Sequence, residues 1–463
     1  MGERRMGRLR KGELVEVDIQ DLAYGGRGVG RLGKLVIMVA GGLPGDRVRA
    51  RVTRMRRTLA EADLEELVQP SELRCEAFCV HNPVCGGCKL QELDYDHQVR
   101  LKALQVKEAL RRIGGFEDPP MEEAIPSPTT RYYRNKMEFS FGADEEHGLR
   151  LGLHPAGNFR EVFQLEHCHL LSERSNEIAA WVLGEARASG LPAYDQNRHD
   201  GFYRYLTLRE GKNTDQTMVV LTTTGEGGPA REMLTDMAQR LRQQFPEVRS
   251  VIRQLNDRRA GVAAGDEEEV LAGERTIQEE LCGYRFEVSA RSFFQTNTLQ
   301  AANLYGRVLE YAAPRGDGVA VDVFSGTGTI AILLSGHFRK IFGVESNPDA
   351  VSDAVRNANL NQVGNCEFIQ GEARDVLAGD PVGHVQPELV VLNPPRAGIH
   401  PSLPGKIARL SPERIVYVSC NPSTLARDLA ALAKEGYSFR KVVPVDMFPH
   451  TAHVESVALM ERN

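Results

Sequence analysis

From about residue 290 onward the chain alternates short β-branched runs with helical stretches, and few folds accommodate that order. The runs fall at 319–324, 340–344, 367–370, 388–392, 415–418, 441–445 and 454–460. Short, continuously apolar runs of this kind are the pattern of strands buried in a parallel sheet. With helices between them they imply a doubly wound, Rossmann-like α/β sheet, with an antiparallel edge strand expected at its end. Open sheets of this type bind ligands at the carboxyl ends of their strands. The residues that follow each run therefore carry the functional reading.

After the first run comes Phe324-Ser325-Gly326-Thr327-Gly328-Thr329, a strand, glycine turn and helix start. Its glycines let backbone approach a ligand at a helix N-terminus. A single GxG would serve NAD equally well. The next run ends at Glu345, 17 residues after Gly328, where a carboxylate can accept from ribose hydroxyls. The full three-glycine fingerprint for a pyrophosphate is missing, which favours S-adenosylmethionine over NAD. The run at 388–392 leads into Asn393-Pro394-Pro395-Arg396. An Asn/Asp-Pro-Pro loop there is a recurrent methyltransferase feature, with a side-chain acceptor and rigid carbonyls beside the donor sulfonium. A loop merely stiffened by prolines is the plainer alternative.

Residues 414–428, RIVYVSCNPSTLARD, place a thiol where a strand gives way to a loop. A helix is expected over 424–433. Cys420 is then either a small packing residue or a nucleophile.

The chain has 463 residues, too long for one core, and an overall charge of −6. That charge is uneven. Residues 1–57 hold 14 Lys/Arg against 6 Asp/Glu, so the remainder carries −14. A basic module on an acidic body suggests a polyanion contact, nucleic acid first. The module reads as five short strands with glycine-rich turns over 13–68, an OB-type barrel. Arg47, Arg49 and Arg51 line one face, making RNA binding the better reading than a purely structural barrel. No apolar run approaches a membrane span and no secretory signal is visible, so a cytoplasmic protein is expected.

Residues 69–289 read as a central α+β domain. A helix over 95–112 takes its apolar spacing from Val99, Leu104, Val106, Leu110 and Ile113, and further helices fall at 175–187 and 230–245. Turns are expected at 157–158, 211–213 and 225–229. The segment Arg131-Tyr132-Tyr133-Arg134-Asn135-Lys136 either stacks on and neutralises RNA or lies on an edge strand. Four of the eight cysteines, Cys75, Cys79, Cys85 and Cys88, crowd into 14 positions. In a cytoplasmic protein that points to metal rather than disulfides. CxxxC and CxxC are also zinc spacings. The CxxxCxxC of radical enzymes is not formed. Cys282 and Cys366 read as packed core thiols.

Taken in order, Phe293-Phe294-Gln295, the Asn-Pro-Pro-Arg loop, Ser419 to Asp428 and the closing Asp446-Met447-Phe448-Pro449-His450-Thr451-Ala452-His453-Val454-Glu455 resemble the RNA 5-methyluridine methyltransferases. With the basic barrel and Cys79-x5-Cys85-Gly-Gly-Cys88, the likeness is to the iron–sulfur-containing 23S rRNA members, which carry an N-terminal TRAM domain. It runs over almost the whole chain. It implies a TRAM barrel (1–68), an iron–sulfur central domain (69–289) and a class I methyltransferase domain (290–463). It implies Cys420 as nucleophile and Glu455 as base. S-adenosylmethionine would be held by Gln295, Phe324, Ser325, Gly326, Gly328, Glu345 and Asn393. A [4Fe–4S] cluster would sit on Cys79, Cys85, Cys88 and a distant Cys168, with zinc on Cys75, Cys79, Cys85 and Cys88 as the rival. The family pattern has Asp where this chain has Asn393, which keeps the acceptor oxygen but not the charge.

The chemistry explains the residue types. Uridine C5 is a poor nucleophile until a thiolate adds at C6, and a base must then remove the C5 proton before the thiolate leaves. The expectation is a monomer that methylates uridine C5 in RNA, 23S rRNA first and tRNA second. The alternatives are an amino-group methyltransferase without a covalent intermediate and a non-catalytic RNA-binding scaffold. The sequence does not identify what activates Cys420.

Overall fold

The computed structural model describes residues 9–463 apart from 145, 147, 226–228, 260, 262, 264, 380–382 and 384. The first eight residues of the basic module, and most of the turn expected at 225–229, lie outside the described residues. Strands β1 (Leu14–Ala23), β2 (Arg27–Leu32), β3 (Leu35–Ala40), β4 (Arg47–Met55) and β5 (Leu59–Gln69) close into a barrel of order β1-β2-β3-β5-β4. Alternation does the work: Val15, Val17 and Ile19 point inward with Val48, Ala50 and Val52 to make the barrel core. Gly28 and Gly30 are needed where strands nearly touch. A Cβ on Gly28 would lie 2.6 Å from the Gly42 carbonyl oxygen, and one on Gly30 2.5 Å from that of Asp18.

The arginine face is present but not free. Arg47 pairs with Glu16 (2.6 Å) across β1, and Arg49 and Arg51 pair with Glu66 and Glu65 across β5. Cross-strand register thus gives each arginine of the row a carboxylate partner while leaving it about half exposed.

Helix α1 (Tyr95–Arg112) begins at an Asp94 cap and packs Val106 and Leu110 into the core of the C-terminal sheet. Its inner face differs from the apolar spacing. Leu104 and Ile113 are exposed, whereas Gln98 and Lys102 are buried.

The central sheet combines β6 (Lys136–Asp144), β7 (Gly148–Leu153), β8 (Phe163–Gln164), β9 (Tyr203–Gly211), β10 (Gln216–Thr223), β11 (Val248–Leu255) and β12 (Glu267–Gly273) in the order β12-β11-β10-β9-β6-β7-β8. Only β10 and β11 run parallel among these pairs. Helices α2 (Glu173–Ala188) and α3 (Pro229–Gln244) cover one face. The other face sends Met218, Val220 and Ile252 into a core shared with the hairpin β13 (Ile277–Leu281) and β14 (Tyr284–Val288) and with the C-terminal sheet. That is why β9 and β10 are buried along nearly their whole length. The hairpin turn holds a departure from expectation. Cys282 is exposed there with φ 52°, a turn thiol rather than a core one.

The remaining elements are α4 (Thr298–Ala312), β15 (Val319–Val323), α5 (Thr329–Leu334), β16 (Lys340–Glu345), α6 (Pro348–Leu360), β17 (Cys366–Gln370), α7 (Ala373–Val376), β18 (Leu389–Leu392), α8 (Leu403–Leu410), β19 (Arg414–Ser419), α9 (Pro422–Lys434), β20 (Tyr437–Val445) and β21 (Glu455–Arg462). The sheet order is β17-β16-β15-β18-β19-β21-β20. All strands expected from the sequence form within a few residues of their predicted bounds. The antiparallel strand, however, is not at the edge. β21 is inserted between β19 and β20, antiparallel to both. Its first six residues are buried, so it needs neighbours on both sides, and the edge falls to β20 with its half-exposed Ser438-Phe439-Arg440.

Before Lys136 opens β6, the segment 131–136 is not an edge strand but an irregular stretch held by its backbone. Its backbone donates from Tyr132 to His169, from Arg134 to Leu170 and from Asn135 to Thr296. Arg131 stacks 4.0 Å over the Phe78 ring. The segment braces the cysteine-bearing loops against the C-terminal domain. No described helix is long and apolar enough to cross a membrane.

Candidate active site

β19 ends at Ser419, and α9 starts at Pro422 under an Asn421 cap, so Cys420 sits in the bend between them, half-buried. The antiparallel register puts Ser419 opposite Ser456. One step further, Cys420 faces Glu455, the first residue of β21. The inserted strand thus brings together two residues 35 positions apart.

Glu455 is approached through the loop 446–454, which is unusually well held. Four successive carbonyls accept from four parts of the chain: Met447 from Asn297 Nδ2, Phe448 from Lys102 Nζ, Pro449 from the Tyr133 hydroxyl and His450 from the Leu90 amide. Lys102 also donates to Asp446 Oδ1 at 2.7 Å, and Gln98 Oε1 accepts from the His450 amide. These two buried polar residues on α1 position the loop, a role that a charged residue on a helix does not advertise in sequence.

The electrostatics of the pair are set by burial and by one arginine. Burial pushes the Glu455 carboxyl up to about 8, with Arg396 pulling the other way. Burial, then Glu455, pushes the Cys420 thiol up to about 11, while Arg396 lowers it by charge and by a side-chain hydrogen bond. Arg396 is thus the cation placed beside the thiol. It ends the Asn-Pro-Pro-Arg loop, whose placement depends on α9. The Arg396 carbonyl accepts from Asn421 Nδ2 (3.0 Å), and Arg427 and Asp428 hold Ala397 and Ile399. Tyr417 donates to the same Asp428 at 2.6 Å. The far end of the Ser419 to Asp428 motif thus fixes the loop that carries Arg396.

The expected donor-binding residues gather at the carboxyl ends of β15, β16 and β18. Phe324, Gly326 and Gly328 all have positive φ, at 67°, 53° and 82°. Nothing lies within 4 Å of where a Gly326 Cβ would stand, leaving an open face on the turn. The Glu345 carboxylate accepts the Gly326 amide at 3.0 Å on Oε2, and the Asn347 amide at 2.9 Å and the Ser346 hydroxyl at 3.4 Å on Oε1, so Oε2 keeps capacity for one more donor. Asn393 joins this edge through its amide, which donates to the Val323 carbonyl. Gln295 is buried, bonded by its side chain to Tyr305 and by its carbonyl to Asn135. Asp322 Oδ1 and the Ser325 hydroxyl are buried without a partner beside this turn. Orphaned polar atoms next to an open glycine turn fit a polar ligand such as the ribose and amino-acid ends of S-adenosylmethionine.

The cysteines divide cleanly. Cys88 feels Cys168, Cys85 and Cys79; Cys168 feels Cys85 and Cys79; and Cys85 feels Cys79. Cys75 turns elsewhere, with its thiol donating to the Gln91 carbonyl beside Asp94 and Glu92. None of the cysteines is in a disulfide. The local zinc set that includes Cys75 is not assembled. Among the described residues no three His, Cys, Asp or Glu side chains converge on a single metal-ion position.

A family model described as tRNA (uracil-5-)-methyltransferase matches residues 94–463, and a TRAM domain model matches residues 8–64. An uncharacterized RNA methyltransferase of Halalkalibacterium halodurans is 37% identical over 453 residues, covering 98% of each chain. Another, of Porphyromonas gingivalis, is 38% identical and covers 96% of this chain and 100% of the relative. Among solved structures, the Pyrococcus abyssi tRNA (uracil-54, C5)-methyltransferase in complex with S-adenosyl-L-homocysteine superposes with a TM-score of 0.78 at 31% identity, covering 96% of this chain and 99% of that one.

Proposed function

Given that the chain belongs to the tRNA (uracil-5-)-methyltransferase family, and so is an S-adenosylmethionine-dependent RNA methyltransferase with an N-terminal TRAM domain, we propose that it methylates uridine at C5 through a covalent adduct on Cys420, with Glu455 as base. The observation that carries this is the placing of Cys420 and Glu455 one step beyond the Ser419–Ser456 pair of β19 and β21, where each lies within reach of the Arg396 charge.

Cys420 gives up its proton to solvent, and the thiolate adds to C6, placing the displaced electron pair on C5 and O4. Bound S-adenosylmethionine supplies an electrophilic methyl group to which C5 is the nucleophile. Glu455 then takes the C5 proton, and the electrons of that C–H bond restore the C5–C6 double bond as the thiolate leaves. Arg396 stabilises the thiolate at both ends of the cycle. Gln295, Glu345, Asn393 and the 324–328 turn would hold the donor. The uridine must leave its stack first, which costs a few kcal/mol and less in a loop.

Replacing Arg396 with Met is expected to raise the pH at which iodoacetamide alkylates Cys420 and to lower kcat/KM about 10- to 100-fold, as loss of a hydrogen bond to a charged group does. Arg396→Lys should recover part of it. Unchanged alkylation in the Met variant would remove Arg396 from this role.

For the RNA, 23S rRNA is our first reading, because a TRAM barrel combined with the cysteine set resembles the rRNA enzymes. tRNA is the second, favoured by the Pyrococcus structure. Total RNA incubated with methyl-labelled donor should yield labelled 5-methyluridine, and fractionation should place it in 23S rRNA. Label in tRNA would decide for the second reading. Labelled N6-methyladenosine, or no label, would sink both.

For the cysteines we propose a [4Fe–4S] cluster on Cys79, Cys85, Cys88 and Cys168, supported by the mutual proximity of these four thiols. Iron and sulfide content is expected to fall in Cys168→Ala and to persist in Cys75→Ala. The opposite result would assign the fourth position to Cys75.

A further inference from the structure

We infer that the first turn of the barrel is a wall of the catalytic site and that Tyr24, at its tip, is a positioning residue for Cys420. The inference deepens the reading of Cys420 as nucleophile and rests on it. Tyr24-Gly25-Gly26 joins β1 to β2. The Tyr24 hydroxyl donates to the Cys420 carbonyl oxygen at 3.1 Å, across 396 positions of sequence. At the other end of the same peptide unit, the Asn421 amide donates to Ser419 Oγ at 3.1 Å. The peptide that follows the thiol is therefore held from both sides by side chains. One of those side chains belongs to a different domain.

The turn is seated, not merely adjacent. Lys89 Nζ donates to the Gly25 carbonyl at 3.0 Å, and Gln105 Nε2 to that of Leu22 at 3.1 Å. A Cβ on Gly26 would come within 3.2 Å of Ala452, in the loop that leads to Glu455. The edge of the Tyr24 ring meets His453 at 6.4 Å between centroids. Burial raises the pKa of the phenol, as does Cys420, with Arg396 opposing and Glu455 adding to the rise, so it stays a donor. The β4 arginines, by contrast, already have carboxylate partners within the barrel. On these contacts the barrel's contribution extends past holding RNA: its docking fixes the bend from which the thiol projects.

The test separates geometry from affinity. With RNA containing 5-fluorouridine at saturation, Tyr24→Phe is expected to slow covalent capture roughly three- to tenfold, the usual effect of one lost hydrogen bond. RNA affinity should stay within about twofold, because the ring remains. In RNA-free protein, the rate of Cys420 alkylation by iodoacetamide should shift in Tyr24→Phe, and further in Tyr24→Ala. If Tyr24→Phe matches the wild type in both capture and alkylation, or if its entire defect is weaker RNA binding, the inference is wrong. If the wild type captures no 5-fluorouridine RNA, the uracil reading fails instead, and alkylation still decides for Tyr24.

Discussion

Replacing Cys420 with Ala is expected to abolish methyl transfer and, with it, any RNA adduct that survives denaturation. Without addition at C6 there is no nucleophilic carbon at C5, so no slower route remains within the same site. The loss should exceed about 10⁴-fold, the scale on which removing a covalent nucleophile acts. Stability should barely change, since a half-buried thiol on a bend contributes little packing. Incubation with 5-fluorouridine RNA and labelled donor, followed by a denaturing gel, reads both effects. Substantial methylation by the Ala variant would mean chemistry without a covalent intermediate, as in an amino-group methyltransferase.

Glu455→Gln should separate the steps. The thiol can still add and C5 can still be alkylated, but the C5 proton has no acceptor. Turnover should fall about 10²- to 10⁴-fold, while adduct accumulates on ordinary uridine RNA. The pH profile is a second readout. In the free enzyme Glu455 titrates at about 8 and Cys420 at about 11, and both must be deprotonated. Because C5 alkylation precedes the base step and is irreversible, log kcat/KM should follow Cys420 alone, with a slope near one in both wild type and Gln, whereas kcat of the wild type alone should rise as Glu455 ionises. A wild-type kcat/KM slope near two below pH 8 would place Glu455 before the methyl transfer. Stability carries the same signature. The unfolded carboxyl ionises near 4.5, so as the pH rises from there to about 8 the folded state keeps a proton that the unfolded chain has lost, and stability falls. Relative to wild type, the denaturant midpoint of Glu455→Gln should rise over that window.

Much of this was legible in the chain because the informative signals are local. β-Branched runs bounded by glycine or Asn-Pro located the strands, and apolar spacing located the helix over 95–112. What was not legible is non-local. Nothing in residues 454–460 says that they part β19 from β20, since that depends on which neighbour has room. Arg396 is only three residues past Asn393 in the chain, and its partners are set by how α9 ties the loop down. Lys102 and Gln98 look like solvent-facing helix positions until Asp446 and His450 are folded over them. The barrel arginines read as free charge because their partners Glu16, Glu65 and Glu66 lie on other strands. Cys282 was misjudged for a simpler reason: hydrophobicity favours the core, but a two-residue hairpin turn with positive φ overrides it.

The inserted strand has a consequence for the order in which the protein is made. β21 is synthesised after both strands it separates, so β19 and β20 have no partner for their facing edges until it is in place. Unpaired strand edges also invite pairing with other chains. Pairing of these eight residues would therefore cover both strand edges and, on the reading proposed above, bring Glu455 to Cys420 in the same event.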